Sequence, residues 1–134
     1  MMELRIIKGA PHIVTKDGKR EVIQAPADAI QQARKRVSDG KAMLQSLAVS
    51  RQSEQDRLED ALLSGISTAP ARRELATITE LESDQDREIT EATRDIGQIE
   101  KLLDEHRAGE IFEAMAQAIT AATEPFNDFL ENHK

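Results

Sequence analysis

Few side chains in this 134-residue chain are equipped for chemistry, and their spacing limits what they can do. Cys is absent. That excludes a thiol nucleophile, a disulfide scaffold, an iron–sulfur cluster and a Cys-ligated zinc. His12, His106 and His133 stand far apart, none with a second His at i, i+4 to share a metal. His106 falls at a helical seam position beside Glu105 and Glu110, which reads as packing rather than ligation. There is no P-loop, no GxGxxG fingerprint and no GxSxG nucleophile elbow. Carboxylates abound, but on a solvated helix face they titrate normally and do no acid–base work without a pocket. The expectation is a non-enzymatic protein with no catalytic residue, no cofactor and no metal.

Charge patterning points instead to surfaces. Glu80, Glu82, Asp84, Asp86, Glu88 and Glu91 crowd twelve residues in which Arg87 is the one cation. Of these, Glu80, Asp84, Glu88 and Glu91 share one helix face by i, i+4 and i, i+3 spacing. Like charges so placed cost a few tenths of a kcal/mol per pair. They are the candidate partner-binding residues, suited to a basic protein. A second candidate is the N-terminal cluster Arg5, Lys8, Lys16, Lys19 and Arg20, which could bind a small anion between neighbouring subunits.

The net charge of −7 is unevenly spread. Residues 1–24 hold five basic and three acidic residues (+2), residues 25–64 six of each, and residues 65–134 seven against sixteen (−9). Such a negative second half disfavours direct nucleic-acid binding, which needs phosphate neutralisation. At 2% aromatics the chain also lacks stacking platforms. No apolar run approaches the roughly 18 residues of a membrane span, and no secretory h-region is expected. The composition suits a small cytoplasmic protein of a bacterium or phage.

The elements that must position these residues are legible. Ile13-Val14-Thr15 and Glu21-Val22-Ile23 flank an Asp17-Gly18 turn, which predicts a β-hairpin at 12–23, with 3–8 as a third strand. The organisation is therefore an N-terminal β-hairpin unit, 1–24, and a helical hairpin with a C-terminal tail, 25–134. Pro26 and Asp28 open a helix. Gly65, Ser67, Thr68 and Pro70 punctuate the only clear break. Helices are expected at about 26–64 and 69–122, the second stopping before Pro125.

Stepping 3-4-3-4 from Ile30 to Ala61, and from Leu75 to His106, meets mostly apolar residues. A sustained 3.5-residue period is a coiled-coil seam. Folding the chain at the break makes facing residue numbers sum to a constant. A sum of 136 sets Gly40 against Ile96 and Leu47 against Ile89, and places the polar exceptions Arg51, Glu54, Glu82 and Gln85 together. Arg51 is then expected to offset both carboxylates, in a layer that fixes register.

Beyond residue 108 the apolar stripe changes phase, through Ile111, Phe112, Met115, Ile119, Ala122, Phe126 and Phe129. The β-hairpin is expected to cover this stretch, forming a compact head on a thin stalk. Met43, Val49, Leu63, Leu81 and Leu102 fall off the seam, which predicts homo-oligomerisation. The fold expected is mainly α, a long antiparallel helical hairpin, or two-stranded coiled coil, with a β-hairpin packed at its open end. Its expected role is a protein–protein interaction module, an adaptor or inhibitor of a larger partner. The alternative is an oligomer sequestering a small anion.

Overall fold

The computed structural model describes residues 2–132, with the backbone alone for 126–129, 131 and 132. Three strands, β1 (Met2–Ile7), β2 (Ala10–Asp17) and β3 (Arg20–Gln24), form an antiparallel meander in that order. Pairing of Ile7 with Ala10 leaves a two-residue turn, Lys8-Gly9, with φ of 53° and 81°. Both residues are left-handed, as a type I′ turn requires. Pairing of Asp17 with Arg20 places the turn at Gly18-Lys19, one residue beyond the expected Asp17-Gly18 pair; only Gly18 has positive φ, the sign pattern of type II′.

Strand alternation sets the two faces. Met2, Leu4, Ile13, Thr15, Val22 and Gln24 share the side that packs on the helices. Ile13 is 1% exposed, closed in by Ala29 and Ile99 with Met2, Ile30, Leu102 and Leu103 around it. Glu3, Arg5, Val14, Glu21 and Ile23 share the outer side. Val14 is nonetheless buried. It sits on the central strand between Glu3 and Ile23, and Arg5 bonds Glu3 at 2.6 Å and reaches across to Glu21 at 3.4 Å.

Helix α1 (Pro26–Ser64) starts with Pro26 at its first position and ends on Gly65, whose φ of 69° is the left-handed C-terminal cap. Helix α2 (Ala69–Asn132) begins where the Thr68 carbonyl accepts the amide of Arg72 at 3.0 Å. The two pack as the antiparallel hairpin that the heptad period predicts. Ala33, Gly40 and Leu47 on α1, and Ala71, Ile78, Ala92 and Ile99 on α2, are buried at multiples of seven residues. The alternate seam positions, such as Val37, Leu44, Leu75 and Ile96, are half-buried.

Three expectations require correction. First, the facing register is one heptad away. A Cβ built on Gly40 would lie 2.7 Å from Ile89 Cγ1, so Gly40 faces Ile89 and not Ile96. Ile30 likewise packs in the cluster with Ile99, and not opposite His106. These pairs sum to 129, seven less than 136. A strict heptad is blind to a slip of seven, because seam positions still face seam positions. The close approach at Gly40 identifies the observed register.

Second, α2 does not stop before Pro125 but runs through it to Asn132. Proline removes one backbone donor, and the hydrogen-bond ladder continues on either side. Third, the sheet does not cover Ile111, Phe112, Met115 or Ile119. All described side chains from Arg107 to Pro125 are exposed. At 100° per residue, these four lie roughly 160° around α2 from Ala92 and Ile99, the face held against α1. The phase change thus turns them to the opposite side of the helix from the packed seam. The side chains of Phe126 and Phe129 lie outside the described residues. Leu102 is also half-buried against the sheet, while Met43, Val49, Leu63 and Leu81 are exposed as expected.

Glycines along the helices now differ in role. Gly40 has no room for a Cβ, whereas nothing stands within 4 Å of one at Gly97. Ile89 is β-branched and stiff in a helix, so it yields poorly. Gly40→Val should lower stability by about 1–3 kcal/mol through overpacking. Gly97→Ala should raise it by up to about 1 kcal/mol. Thermal melts followed by far-UV circular dichroism read both, and equal effects at the two sites would contradict the close approach.

Candidate functional site

Of the acidic stripe, Glu80, Asp84 and Glu91 are exposed, but Glu88 is committed to the hairpin. Arg36 donates from Nε to Glu88 at 2.6 Å and from Nη1 to Asp95 at 2.9 Å. That guanidinium holds the Glu88 carboxyl below the ordinary carboxylate range. The two carboxylates in turn raise Arg36 above its usual value, the Glu88 hydrogen bond foremost. The stripe therefore presents three outward carboxylates, with its fourth drawn toward α1.

The polar layer also resolves differently from expectation. Arg51 bonds Glu82, with its Nε at 3.0 Å, and Thr79 Oγ1 at 2.8 Å. It does not serve Glu54, which instead accepts from Arg57 on its own helix at 3.5 Å. In the observed register Glu82 lies level with Leu47 and Arg51 with Ile78, so the polar groups meet diagonally. No buried side-chain polar atom among the described residues lacks a partner.

The five basic residues of the anion alternative are not brought together. Lys8 sits in the β1–β2 turn, and Lys19 and Arg20 lie at the β2–β3 turn. The two turns are separated by the length of β2, about 23 Å at 3.3 Å per residue. Arg5 and Lys16 are on the outer face of the sheet, with Arg5 already paired to Glu3 and Glu21. A cleft of about 280 Å³ does open between sheet and hairpin, lined by Ile13, Thr15, Asp17, Arg36, Asp95 and Ile99 among others. None of the five lines it, and its own cation, Arg36, is bonded to two carboxylates.

The histidines have local partners. His12 Nδ1 lies 3.0 Å from the Ala10 carbonyl, and His106 Nε2 lies 3.0 Å from Glu110 Oε1. His133 lies outside the described residues. Among the described residues no three His, Asp or Glu gather as a metal site, and no helix is long and apolar enough to cross a membrane.

The surface that sequence reasoning misassigned is the overhang of α2. In the observed register the start of α1 lies level with residue 103. Helix α2 therefore continues alone for about 40 Å. Along it Ile111, Phe112, Met115 and Ile119 are 56%, 74%, 59% and 65% exposed. The signal was the phase change itself, since an apolar stripe turned away from the seam cannot share the seam's partner. Comparison with protein-family models, curated proteins and solved structures finds no match to this chain.

The Arg36 bridge makes a pH prediction. A carboxylate whose folded pKa is depressed stabilises the fold above its unfolded pKa and loses that contribution as pH falls through the folded value. Glu88→Gln should thus lower stability at pH 7 by about 0.5 kcal/mol, the scale of a solvent-screened pair. The difference from wild type should begin to shrink as pH falls to the ordinary carboxylate value of 4.5 and vanish once pH is below the depressed folded value. Glu80→Gln and Glu91→Gln, which have no such partner in the structure, should not lower the melting temperature at pH 7 and should raise it slightly, by relief of like-charge repulsion within the stripe.

Proposed function

We propose that the protein is a non-catalytic protein–protein interaction module that self-associates and docks on, or inhibits, a larger partner. The observation that carries this reading is the α2 overhang, a helix presenting an apolar stripe with no cover from its own chain. Exposed contiguous apolar surface of this kind marks an interaction site. The hairpin and sheet below it form a stalk that holds the overhang out.

A second reading concerns a basic partner and rests on Glu80, Asp84 and Glu91, three outward carboxylates on one side of the same helix. Docking there would be steered by charge and weakened by salt. Sequestration of a small anion has less support, because its five cations occupy separate places on the sheet.

The overhang reading is tested with the immobilised chain as bait. Wild type should retain a protein ligand, its own kind or another, that the double variant Phe112→Glu/Ile119→Glu loses, while both melt at the same temperature when dilute enough to be monomeric. A wild-type chain that stays at 14.9 kDa and retains no protein at any salt concentration would overturn the reading. Retention through the carboxylates should fall at least tenfold in a Glu80→Gln/Asp84→Asn/Glu91→Gln variant at low salt, and be unaffected in the double variant.

A further inference from the structure

We infer that the stripe Ile111, Phe112, Met115 and Ile119 is the docking surface for a second copy of this chain, lying antiparallel to the first. The inference rests on the interaction reading above and names its partner.

Charge is the first ground. Between residues 108 and 122 the only charged side chains are Glu110 and Glu113. At 100° per residue each lies roughly 150° from the centre of the stripe, one on either side. Ala108 and Ala122 fall within the stripe, and Ala116 and Ala118 border it. A charged partner meets no complementary charge there. A second neutral, apolar stripe meets its own kind, and the alanines allow close backbone approach.

Shape supplies the second ground. Laid antiparallel with facing numbers summing to 230, Met115 meets Met115 on a two-fold axis. Ile111 meets Ile119 and Ala108 meets Ala122, while Phe112 flanks the contact beside Ile119 of the other copy. The contact is isologous and closes on itself. A parallel pair would stack Phe112 on Phe112 and set two acidic second arms side by side. The antiparallel pair points the two stalks away from each other.

Area is the third. The four side chains expose on the order of 500 Å² per copy, taking 150–250 Å² for a full aromatic. Two copies then bury up to about 1,000 Å², the size of weak, transient interfaces. The expected product is a reversible, elongated dimer.

The absence of Cys makes the test clean. Light scattering over a concentration series should show mass rising from 14.9 kDa toward twice that value. Met115→Glu, which places two charges on the axis, should weaken dimerisation at least tenfold without moving the melting temperature of the hairpin at concentrations where wild type is also monomeric. Under mild oxidation, Ile111→Cys mixed with Ile119→Cys should form the mixed disulfide dimer, and neither variant alone should dimerise efficiently. Efficient self-linking of Ile111→Cys would show parallel pairing and overturn the inference. So would a wild-type chain that stays monomeric at every concentration. If that monomer still captures a foreign protein through the stripe, the interaction reading survives and the second copy is wrong.

Discussion

The close passage of the two helices at Gly40 and Ile89 is the constraint on which the rest depends. A side chain at residue 40 would push α1 and α2 apart, and the small residues Ala33, Ala71 and Ala92 at the same heptad phase would lose their contacts. The sheet has no footing without that closeness. Ile13 enters between the arms only because Ala29 and Ile99 stand near enough to hold it from both sides. Helix spacing, register and attachment of the meander are therefore one packing problem. Burying a side chain the size of Ile13 contributes about 1.5–3 kcal/mol, so the sheet is bound to the stalk by a few such contacts.

Electrostatics reinforces this geometry without creating it. Cations of the neutral first arm are used on the acidic second arm, Arg36 toward Glu88 and Asp95, and Arg51 toward Glu82. These pairs are part-exposed and screened, so each contributes little. They do redistribute the field. The −9 of residues 65–134 is offset along the seam and left uncompensated on the outward face, where Glu80, Asp84 and Glu91 stand.

Much of this was legible from spacing alone. The seam residues, the Gly65 cap, the Pro26 start and the Gly18 turn all follow from local rules that the structure obeys. The Lys8-Gly9 turn was harder to foresee, since Lys seldom takes positive φ. The facing register was not legible, because a seven-residue repeat fits itself after a slip of seven. Gly40 carried the missing information, but as a distance to Ile89, which no single-helix pattern contains. At the acidic stripe, spacing gave the shared face of four carboxylates and could not tell that Glu88 would be drawn off by a residue fifty-two positions away. The apolar overhang was visible as a change of phase. Its exposure was not, since the nearest candidate cover was assumed to reach it.

One consequence follows from α2 being a single unbroken helix. A short isolated helix is marginal in water because its first turn must be nucleated at a loss of entropy. The solitary segment beyond residue 103 is spared that step, since it grows from turns already fixed against α1 and the sheet. The hairpin thus acts as a template for the helix that projects from it. Whatever docks on the projecting segment meets a surface already ordered, and need not supply the entropy of folding it.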